Sequence, residues 1–437
     1  MAINEKDTKR VLDAVEEMQG EIIELERALI RFDSVNQPPW GNEGPCQDFV
    51  AGWMKELGLM VDCFTPDEVP GIKDDPAYLH GRDYTNRPNV VGTLQGIGGG
   101  RSLHLTAHAD VVPIGKPEEW IVGPFSAEII DGKIYGRGAL DDKDGLAAML
   151  SALQAIRRAG YRLRGDLILS SYVDEEFAGG NGLLAIVRKG YRGDAAINCD
   201  GVGFLLWVAN TGGGPFRVLI QSRVDAPHPT PAMRRMQVAC REALAALSRR
   251  WMAYWQHPLY PAGTPWILRK EPIEVKDWEE GLEGWNWLSH GPACGVSGYA
   301  TTLPGQDREQ AKAEIIAAVD EAYTGCGCPS LFPPRVEWTY RFMDACEVSP
   351  NEPIVSTLSQ AYQQVSGGTT QVTGGLRSDL YMLALHGRVP AVSFGVGNVL
   401  HGSGSAHEPN ERIDIDGELI PYVKMLALAV MDWCGYV

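Results

Sequence analysis

The sequence predicts an α/β protein in which an αβα domain with a mostly parallel mixed sheet is interrupted by an inserted α+β domain. The first observation is length, because 437 residues exceed the size at which single hydrophobic cores stop growing, so two domains are expected. The second is alternation. Residues 103–107 and 167–173 are apolar strand-like runs, and residues 146–159 repeat apolar side chains at helical spacing. Such a succession is typical of a layered α/β fold.

The other elements of the αβα domain are predicted in the same way. Residues 5–32 and 46–57 have the pattern of acidic-rich helices. The run 96–100 (GIGGG) precedes a strand instead of following one, which favours a turn over a phosphate-binding loop. Residues 195–199 (AAINC) and 391–395 (AVSFG) are predicted to be further buried strands.

The inserted domain is marked by a change of pattern. A strand, a helix, a second strand and a second helix are predicted at residues 216–222, 231–247, 298–303 and 307–323. Glycine and proline are concentrated on both sides of this region. The predicted division is residues 1–210 and 335–437 for the interrupted domain and residues 211–334 for the insertion.

The composition argues against two classes of partner. A formal net charge of −17 and a pI near 5.0 would repel nucleic-acid phosphates and anionic membrane surfaces, so neither is expected to bind.

The pattern of the chain argues against a secretory signal and a membrane span, because the first residues are charged and no run of about 18 uninterrupted apolar residues occurs. We expect a cytoplasmic protein whose nine cysteines are reduced, with Cys326 and Cys328 as a loop feature instead of half a zinc site.

Residues that carry chemistry stand at the ends of the predicted strands. His108 and Asp110 end the run LHLTAHAD, where residues two apart lie on the same face, so Asp110 is placed to accept the second ring N–H of a metal-binding histidine. A structural or surface role for this pair is the alternative. Asp141 follows a glycine-rich turn and precedes an apolar helix, so Asp141 or Asp142 could equally be a helix N-cap.

Two adjacent glutamates follow the strand at residues 167–173. Glu175 and Glu176 would repel each other unless a cation or a proton lay between them, although adjacent glutamates at a strand end are often only solvated. Asp200 ends the next predicted strand, and His407 lies in a loop of small residues after the run AVSFG. Because the carboxyl ends of strands in an open α/β sheet meet at one crevice, these dispersed residues are expected to converge.

The motifs HADVVP, IYGRGALDDKDG, VDEEFAGGNG, NCD and SAHEPNER stand in the order, and near the spacing, of a known family. The sequence resembles the zinc-dependent metallopeptidase family that includes carboxypeptidase G, succinyl-diaminopimelate desuccinylase, acetylornithine deacetylase and aminoacylase. The resemblance covers residues 103–200 and 373–415 well and the insertion only loosely. It implies that the insertion is a ferredoxin-like lid domain through which the protein forms a homodimer.

The resemblance also implies a site for two divalent metal ions. Its implied ligands are His108 and Asp200 for one ion, Glu176 and His407 for the other, and Asp141 as the bridge. Imidazoles combined with carboxylates favour zinc, with manganese or cobalt as alternatives. Glu175 is the implied general base, which takes a proton from water held by the metals as the resulting hydroxide attacks the substrate carbon. A cis peptide bond between Asp141 and Asp142 is implied as well.

The lid departs from the family pattern at two positions. His228 stands where relatives carry a histidine that reaches a partner's active site and polarises the scissile carbonyl, but its flanking prolines equally suit a rigid surface turn. Thr301 stands where relatives have an arginine. The lid tryptophans are predicted to be core or interface residues, or else a stacking wall for a flat substrate. They are Trp251, Trp255, Trp266, Trp278, Trp285 and Trp287.

We expect a metal-dependent hydrolase that cleaves an amide-like carbon–nitrogen bond of a small anionic or aromatic molecule. One alternative is an aminohydrolase that releases ammonia from a small aromatic amine, which the tryptophans and Thr301 favour. A second is a non-catalytic binding protein, which would be expected to have lost Glu175.

Arg377 lies in a glycine-rich loop where relatives often have threonine, and it is predicted to grip an anionic substrate group or else to pair with Asp379.

Overall fold

The computed structural model describes residues 3–224, 228–261, 271–279, 293–397 and 404–437. Within these ranges the α-helices α1 to α9 are Glu5–Glu17, Gln19–Ile30, Gly44–Glu56, Lys143–Arg158, Asn181–Lys189, Pro231–Met252, Arg308–Cys326, Pro353–Ser366 and Ile420–Cys434. The strands β1 to β18 are Asn36–Gln37, Trp40–Gly41, Met60–Phe64, Asn89–Leu94, Leu103–His108, Glu128–Ile130, Lys133–Tyr135, Leu167–Tyr172, Ala195–Asn198, Leu206–Asn210, Gly212–Gln221, Ile273–Glu279, Ala293–Thr302, Arg335–Trp338, Cys346–Glu347, Val372–Gly375, Ala391–Ser393 and Arg412–Asp414.

The chain divides into two units. The first is formed by residues 1–209 together with 347–437, and the inserted unit is formed by residues 210–346. The proline pattern predicts the second border after residue 334, whereas in the structure it lies between residues 346 and 347. The reason is that β14 adds an edge strand to the inserted unit by pairing with β11.

The first unit is built on a nine-stranded mixed sheet. Its central strands run parallel in the order β17, β9, β5 and β8, and the outer strands β10, β4 and β3 run antiparallel to their neighbours. Helices α4 and α9 pack against β5, and α3 and α5 pack against β4. Every residue of β5 and β8 is buried, as expected for central strands covered by helices. The predicted α/β fold with a mixed sheet is confirmed.

The inserted unit has the topology of a ferredoxin-like domain. Its elements follow in the order β11, α6, β12, β13, α7 and β14, and its antiparallel sheet has the strand order β12, β13, β11, β14. Trp251 is buried in the core between sheet and helices, and its Nε1 donates to Glu314. Trp266, Trp285 and Trp287 lie outside the described residues.

Two further expectations concern the chain as a whole. No helix in the described ranges is long and apolar enough to cross a membrane. All nine cysteines lie in those ranges as free thiols, and Cys328, in the loop after α7, donates to the carbonyl of Cys326 at the end of that helix.

Candidate metal and catalytic site

Neighbouring parallel strands end at one edge of the large sheet and bring the acidic motifs together. β5 ends at His108, β8 leads into Glu175 and Glu176, and β9 leads into Asp200. Asp141 comes from the turn before α4, whose first turn lies beside the end of β5. The arrangement follows from strand direction, because parallel strands place their carboxyl ends on the same side of the sheet.

The Asp141 carboxylate lies between two imidazoles. Its Oδ1 is 2.9 Å from Nε2 of His108, and its Oδ2 is 2.9 Å from Nε2 of His407. An oxygen of Glu176 also lies 2.9 Å from Nε2 of His407. Potential ligand atoms of Asp141, Glu176 and His407 all lie within 4.8 Å of one another. A carboxylate in this position can be shared by two cations.

The acidic side chains raise one another's proton affinity. Burial and the Asp141 carboxylate raise the pKa of Asp200 to about 7, and the same two causes raise the pKa of Glu176 above its ordinary value. Burial also acts to raise the pKa of Asp141, but hydrogen bonds from the two imidazoles hold it well below its ordinary value. The Glu176 and Asp141 carboxylates raise the pKa of His407 to about 12. The site therefore attracts positive charge strongly.

These side chains fit divalent metal ions. Two imidazoles and three carboxylates form the donor set typical of zinc, manganese and cobalt sites. The Asp141 carboxylate disfavours the ionised forms of Glu176 and Asp200, and a divalent cation at the site would offset that repulsion. The residues that would hold the ions are His108, Asp141, Glu176, Asp200 and His407.

The turn before α4 orients Asp141. The peptide bond between Asp141 and Asp142 is cis, as predicted. Asp142 occupies the N-cap position, but its Oδ2 accepts the backbone N–H of His108 at 3.0 Å instead of capping the helix. Gly145 leaves room for this contact, because a Cβ at that position would lie 2.2 Å from Oδ1 of Asp142. Asp142 thus joins the helix start to the end of β5.

Asp110 contacts His108 through its backbone carbonyl and, at a longer distance, through its carboxylate. Nδ1 of His108 is 2.9 Å from the carbonyl oxygen of Asp110 and 3.6 Å from its Oδ1, a distance too long for a hydrogen bond. The carboxylate oxygens instead accept the backbone N–H groups of Glu175 at 3.0 Å and Glu176 at 3.1 Å. Asp110 therefore holds both the imidazole ring and the glutamate turn.

Glu175 is half-buried beside the ligand-type residues. Burial and the nearby Asp379 carboxylate raise the pKa of Glu175 well above its ordinary value. A carboxyl group at this place can accept a proton and return it. Asp379 follows β16 in the same loop as Arg377, which is half-buried.

Sequence reasoning missed a buried ion pair that braces the site. Nη1 of Arg137 lies 2.5 Å from Oε2 of Glu411, and Oε1 of Glu411 accepts the backbone N–H of Leu140 at 2.9 Å. Nη2 of Arg137 also donates to the carbonyl oxygen of His407 at 3.2 Å. The pair therefore ties the His407 loop to the turn that carries Asp141. Both residues stand inside the recognised motifs, so their position was a signal that could have been used.

The predicted lid residues receive less support from the geometry. His228 is exposed, and it follows residues 225–227, which lie outside the described ranges, so its role stays a prediction. Thr301 is buried on β13 within the inserted unit.

Comparison with known proteins identifies a family and relatives that match all or part of the chain. The profile of peptidase family M20/M25/M40 matches residues 104–432. The chain is similar to N-formyl-4-amino-5-aminomethyl-2-methylpyrimidine deformylase of Bacillus subtilis (strain 168), with 28% identity over 455 residues that cover 96% of each protein. It is also similar to a succinyl-diaminopimelate desuccinylase of Methylorubrum populi, with 32% identity over 234 residues that cover 49% of this chain and 55% of the relative.

Solved structures share the fold across the chain. Human carnosine dipeptidase 1 superposes with a TM-score of 0.72 at 14% identity, covering 98% of this chain and 99% of that one. A Bacillus subtilis protein described as a dinuclear metal-binding peptidase of the M20 family has a TM-score of 0.58 at 15% identity, covering 96% and 99%. At sequence identities this low, the similarity to these structures shows a shared fold and nothing more specific.

Proposed function

The chain belongs to peptidase family M20/M25/M40 and is a hydrolase of carbon–nitrogen bonds, and from this premise we propose that it removes a formyl or other short acyl group from the amine of a small heteroaromatic molecule. Similarity along 96% of the chain to a deformylase of an aminomethylpyrimidine supports this substrate class. The similarity to the desuccinylase covers only half of the chain, and so supports amide hydrolysis more than a particular substrate.

The observation that carries the proposal is the Asp141 carboxylate, which lies 2.9 Å from each of two imidazoles and near the half-buried Glu175 and Glu176. We assign His108 and Asp200 to one divalent ion and Glu176 and His407 to the other, with Asp141 shared. When bound, the ions would lower the pKa of a water molecule and neutralise the charge that develops on the substrate carbonyl oxygen.

Within this proposal the other residues position groups and move protons. Glu175 accepts a proton from the attacking water and delivers it to the departing nitrogen, so that the carbon–nitrogen bond breaks to give a carboxylate and a free amine. Asp110 keeps the Glu175 backbone in place through the hydrogen bond from its N–H.

A substrate panel tests the proposed class. Purified protein loaded with zinc, or with manganese, is offered N-formyl and N-acetyl derivatives of an aminomethylpyrimidine, N-succinyl amino acids and dipeptides. We expect the fastest turnover on the formyl derivative, with formate and amine released in equal amounts. Fastest turnover on dipeptides would contradict the substrate class, and release of ammonia would establish the aminohydrolase alternative.

A pair of isosteric variants tests the assignment of the two glutamates. Glu175→Gln should lower kcat by roughly 10²–10⁴ while leaving metal content unchanged, because the base is lost but no ligand is. Glu176→Gln is the matched control and should lower metal content. Near-normal turnover by Glu175→Gln would transfer the role of base to another residue.

We extend the proposal to a homodimer formed through the inserted unit, as the family resemblance implies. Light scattering of the purified protein should give the mass of a dimer, and the mass of a monomer would contradict this part of the proposal.

A further inference from the structure

The backbone around Asn36 lies beside the end of β5. Asn36 on β1 donates its backbone N–H to the carbonyl oxygen of Val111 at 2.9 Å, and Val111 donates to the carbonyl oxygen of Ser34 at 3.1 Å. Val35 and Val111 are thereby paired in parallel register. The side chain of Asn36 is completely buried, so it must find its hydrogen-bond partners inside the protein.

The carboxamide of Asn36 bridges two buried carboxylates. Its Nδ2 donates to Oδ2 of Asp110 at 2.8 Å and to Oδ1 of Asp174 at 3.0 Å. Its Oδ1 accepts from Nη2 of Arg87 at 3.3 Å. These contacts fix the orientation of the amide, because a rotated amide would turn its oxygen toward two carboxylates and its N–H groups toward a guanidinium.

The two bridged aspartates stand on either side of the glutamate turn. Asp110 accepts the backbone N–H groups of both Glu175 and Glu176. Asp174 immediately precedes them and has a left-handed backbone with φ of 64°, which turns the chain as it leaves β8. The neutral Asn36 amide thus links Asp110, which accepts the backbone N–H groups of the turn, to Asp174, which begins the turn.

Charge explains why an amide occupies this position. Asp110 and Asp174 are both fully buried, and buried carboxylates near each other repel unless donors or cations compensate them. Nε of Arg82 lies 3.3 Å from Oδ2 of Asp174, and Asn36 reaches Oδ1 of Asp174 and Oδ2 of Asp110. An asparagine supplies one N–H to each and adds no charge. Aspartate has nearly the same shape but would place a third carboxylate within hydrogen-bonding distance of the other two.

We propose that Asn36 is a positioning residue that holds the Glu175–Glu176 turn in its active geometry, acting through Asp110 and Asp174. The inference rests on the proposed role of Glu175 as the base. Asn36 itself does not touch the reacting atoms. Its contribution is to keep a proton-transferring carboxyl group in place, where a displacement of about 1 Å can cost on the order of 10²-fold in rate.

Hydrogen exchange provides a readout that does not depend on activity. In the zinc-loaded protein, exchange of the Glu175 and Glu176 amides should speed up by at least roughly 10-fold in Asn36→Ala, because the Asp110 acceptor is no longer held. Ser34→Ala is the matched control. Ser34 is also buried in this segment, and its Oγ donates to the carbonyl oxygen of Ala109 at 2.6 Å and to neither of the two carboxylates.

Kinetics then separates positioning from packing. At saturating zinc, Asn36→Ala should lower kcat by roughly 10–100-fold with KM changed by less than about threefold, as expected for a displaced base. Asn36→Asp should be at least as damaging despite its similar shape, because it replaces the donor N–H groups by a carboxylate oxygen facing two carboxylates. If Asn36→Ala does not fold, the milder Asn36→Ser is measured with the same readouts.

Two results would overturn the inference. One is amide exchange and kcat in Asn36→Ala, or in Asn36→Ser, within about threefold of the unsubstituted protein. The other is an equal change in Ser34→Ala. Failure of the proposed function has a different signature: Glu175→Gln would retain its turnover while the exchange measurements still reported whether Asn36 holds the turn.

Discussion

At the scale of single residues, several carboxylates of the site bind backbone N–H groups and so hold loops in place. Oε1 of Glu176 accepts the N–H of Val112 at 3.1 Å, and Asp142 accepts that of His108 at 3.0 Å. Backbone N–H groups are strong, obligatory donors, and a buried carboxylate that accepts one also fixes the course of the chain. The acidic motifs therefore have two roles. Some of their carboxylates attract cations, and some fix the backbone that carries the cation-attracting side chains.

Residue types at strand ends predicted the ligand-type residues but not the partner of each carboxylate. His108, Asp141 and Glu176 are recognisable because imidazole and carboxylate groups stand where parallel strands end. The contact of Asp110 with the glutamate turn depends on where residues 175 and 176 lie in space. Asp110 is far from residues 175 and 176 in sequence, and the sequence pattern does not show that they are close in space. The sequence therefore predicts only the nearby His108 as the partner of Asp110.

Glu26 provides a prediction about pH and stability. It is fully buried on α2, and neither carboxyl oxygen has a hydrogen-bond partner among the described residues. Burial, and then the Asp144 carboxylate, raise its pKa well above the ordinary value of 4.5. Because this pKa is higher in the folded state than in the unfolded state, Glu26 contributes most to the free energy of unfolding below pH 4.5, where it is protonated in both states. That contribution is lost as the pH rises above 4.5.

Substituting Glu26 by glutamine removes this titration. The gain in unfolding free energy from Glu26→Gln should therefore grow between about pH 5 and 8, by up to about 1.4 kcal/mol per pH unit while the folded-state group keeps its proton. Urea unfolding at several pH values measures the gain. Glu24→Gln, at an exposed position on the same helix, is the control for the change of side chain. A gain at Glu26 that does not change with pH would show that its carboxyl is solvated.

Arg377 provides a prediction about the substrate. If its guanidinium grips an acidic substrate group, Arg377→Ala should raise KM by roughly 10–100-fold, which corresponds to the ~1.5–3 kcal/mol of a hydrogen bond to a charged group. The same substrate without its acidic group should be affected far less. Arg388→Ala removes an exposed arginine from the same unit and controls for net charge. Equal losses on both substrates would mean that Arg377 only shapes its loop.

At the scale of elements, the central strands and their crossover helix are the best-predicted part of the fold. The apolar runs at β5 and β8 and the helical spacing in α4 arise because these elements are buried on more than one side. The helical stretch predicted at residues 5–32 is divided into α1 and α2, which are separated at Met18. β10 was not predicted, since a five-residue buried run does not by its pattern distinguish a strand from a helix segment.

Two helical glycines give a matched prediction at this scale. At Gly145 in α4 an added Cβ would meet Oδ1 of Asp142 at 2.2 Å, whereas at Gly52 in α3 nothing lies within 4 Å. Gly52→Ala should therefore raise the free energy of unfolding by about 0.5–1 kcal/mol through helix propensity. Gly145→Ala should lower stability and weaken zinc binding, because Asp142 is pushed away from His108.

Thermal unfolding and zinc titration of both variants check this prediction. Stabilisation by Gly145→Ala with unchanged zinc affinity would show that Asp142 can move without cost, and that its contact with the end of β5 does not support the site.

At the scale of the whole molecule, the first unit is completed by segments on both sides of the insertion. The chain leaves the large sheet at β10 and returns at β15, and these two strands are neighbours in the sheet. His407 and Asp141 therefore come from segments that the insertion separates in sequence. The family motifs made this division predictable, whereas the end of the insertion depends on the pairing of β14 with β11, which local composition does not reveal.

The central claim is that the Asp141 carboxylate is shared by two divalent metal ions. The most direct test is an anomalous difference map from crystals of the zinc-loaded protein, with Asp141→Asn crystals as the control. We predict two peaks roughly 3.5–4 Å apart, one beside His108 and Asp200 and the other beside Glu176 and His407, with Asp141 contacting both. Peaks that lie away from Asp141, or a map with no peak at these residues, would contradict the claim.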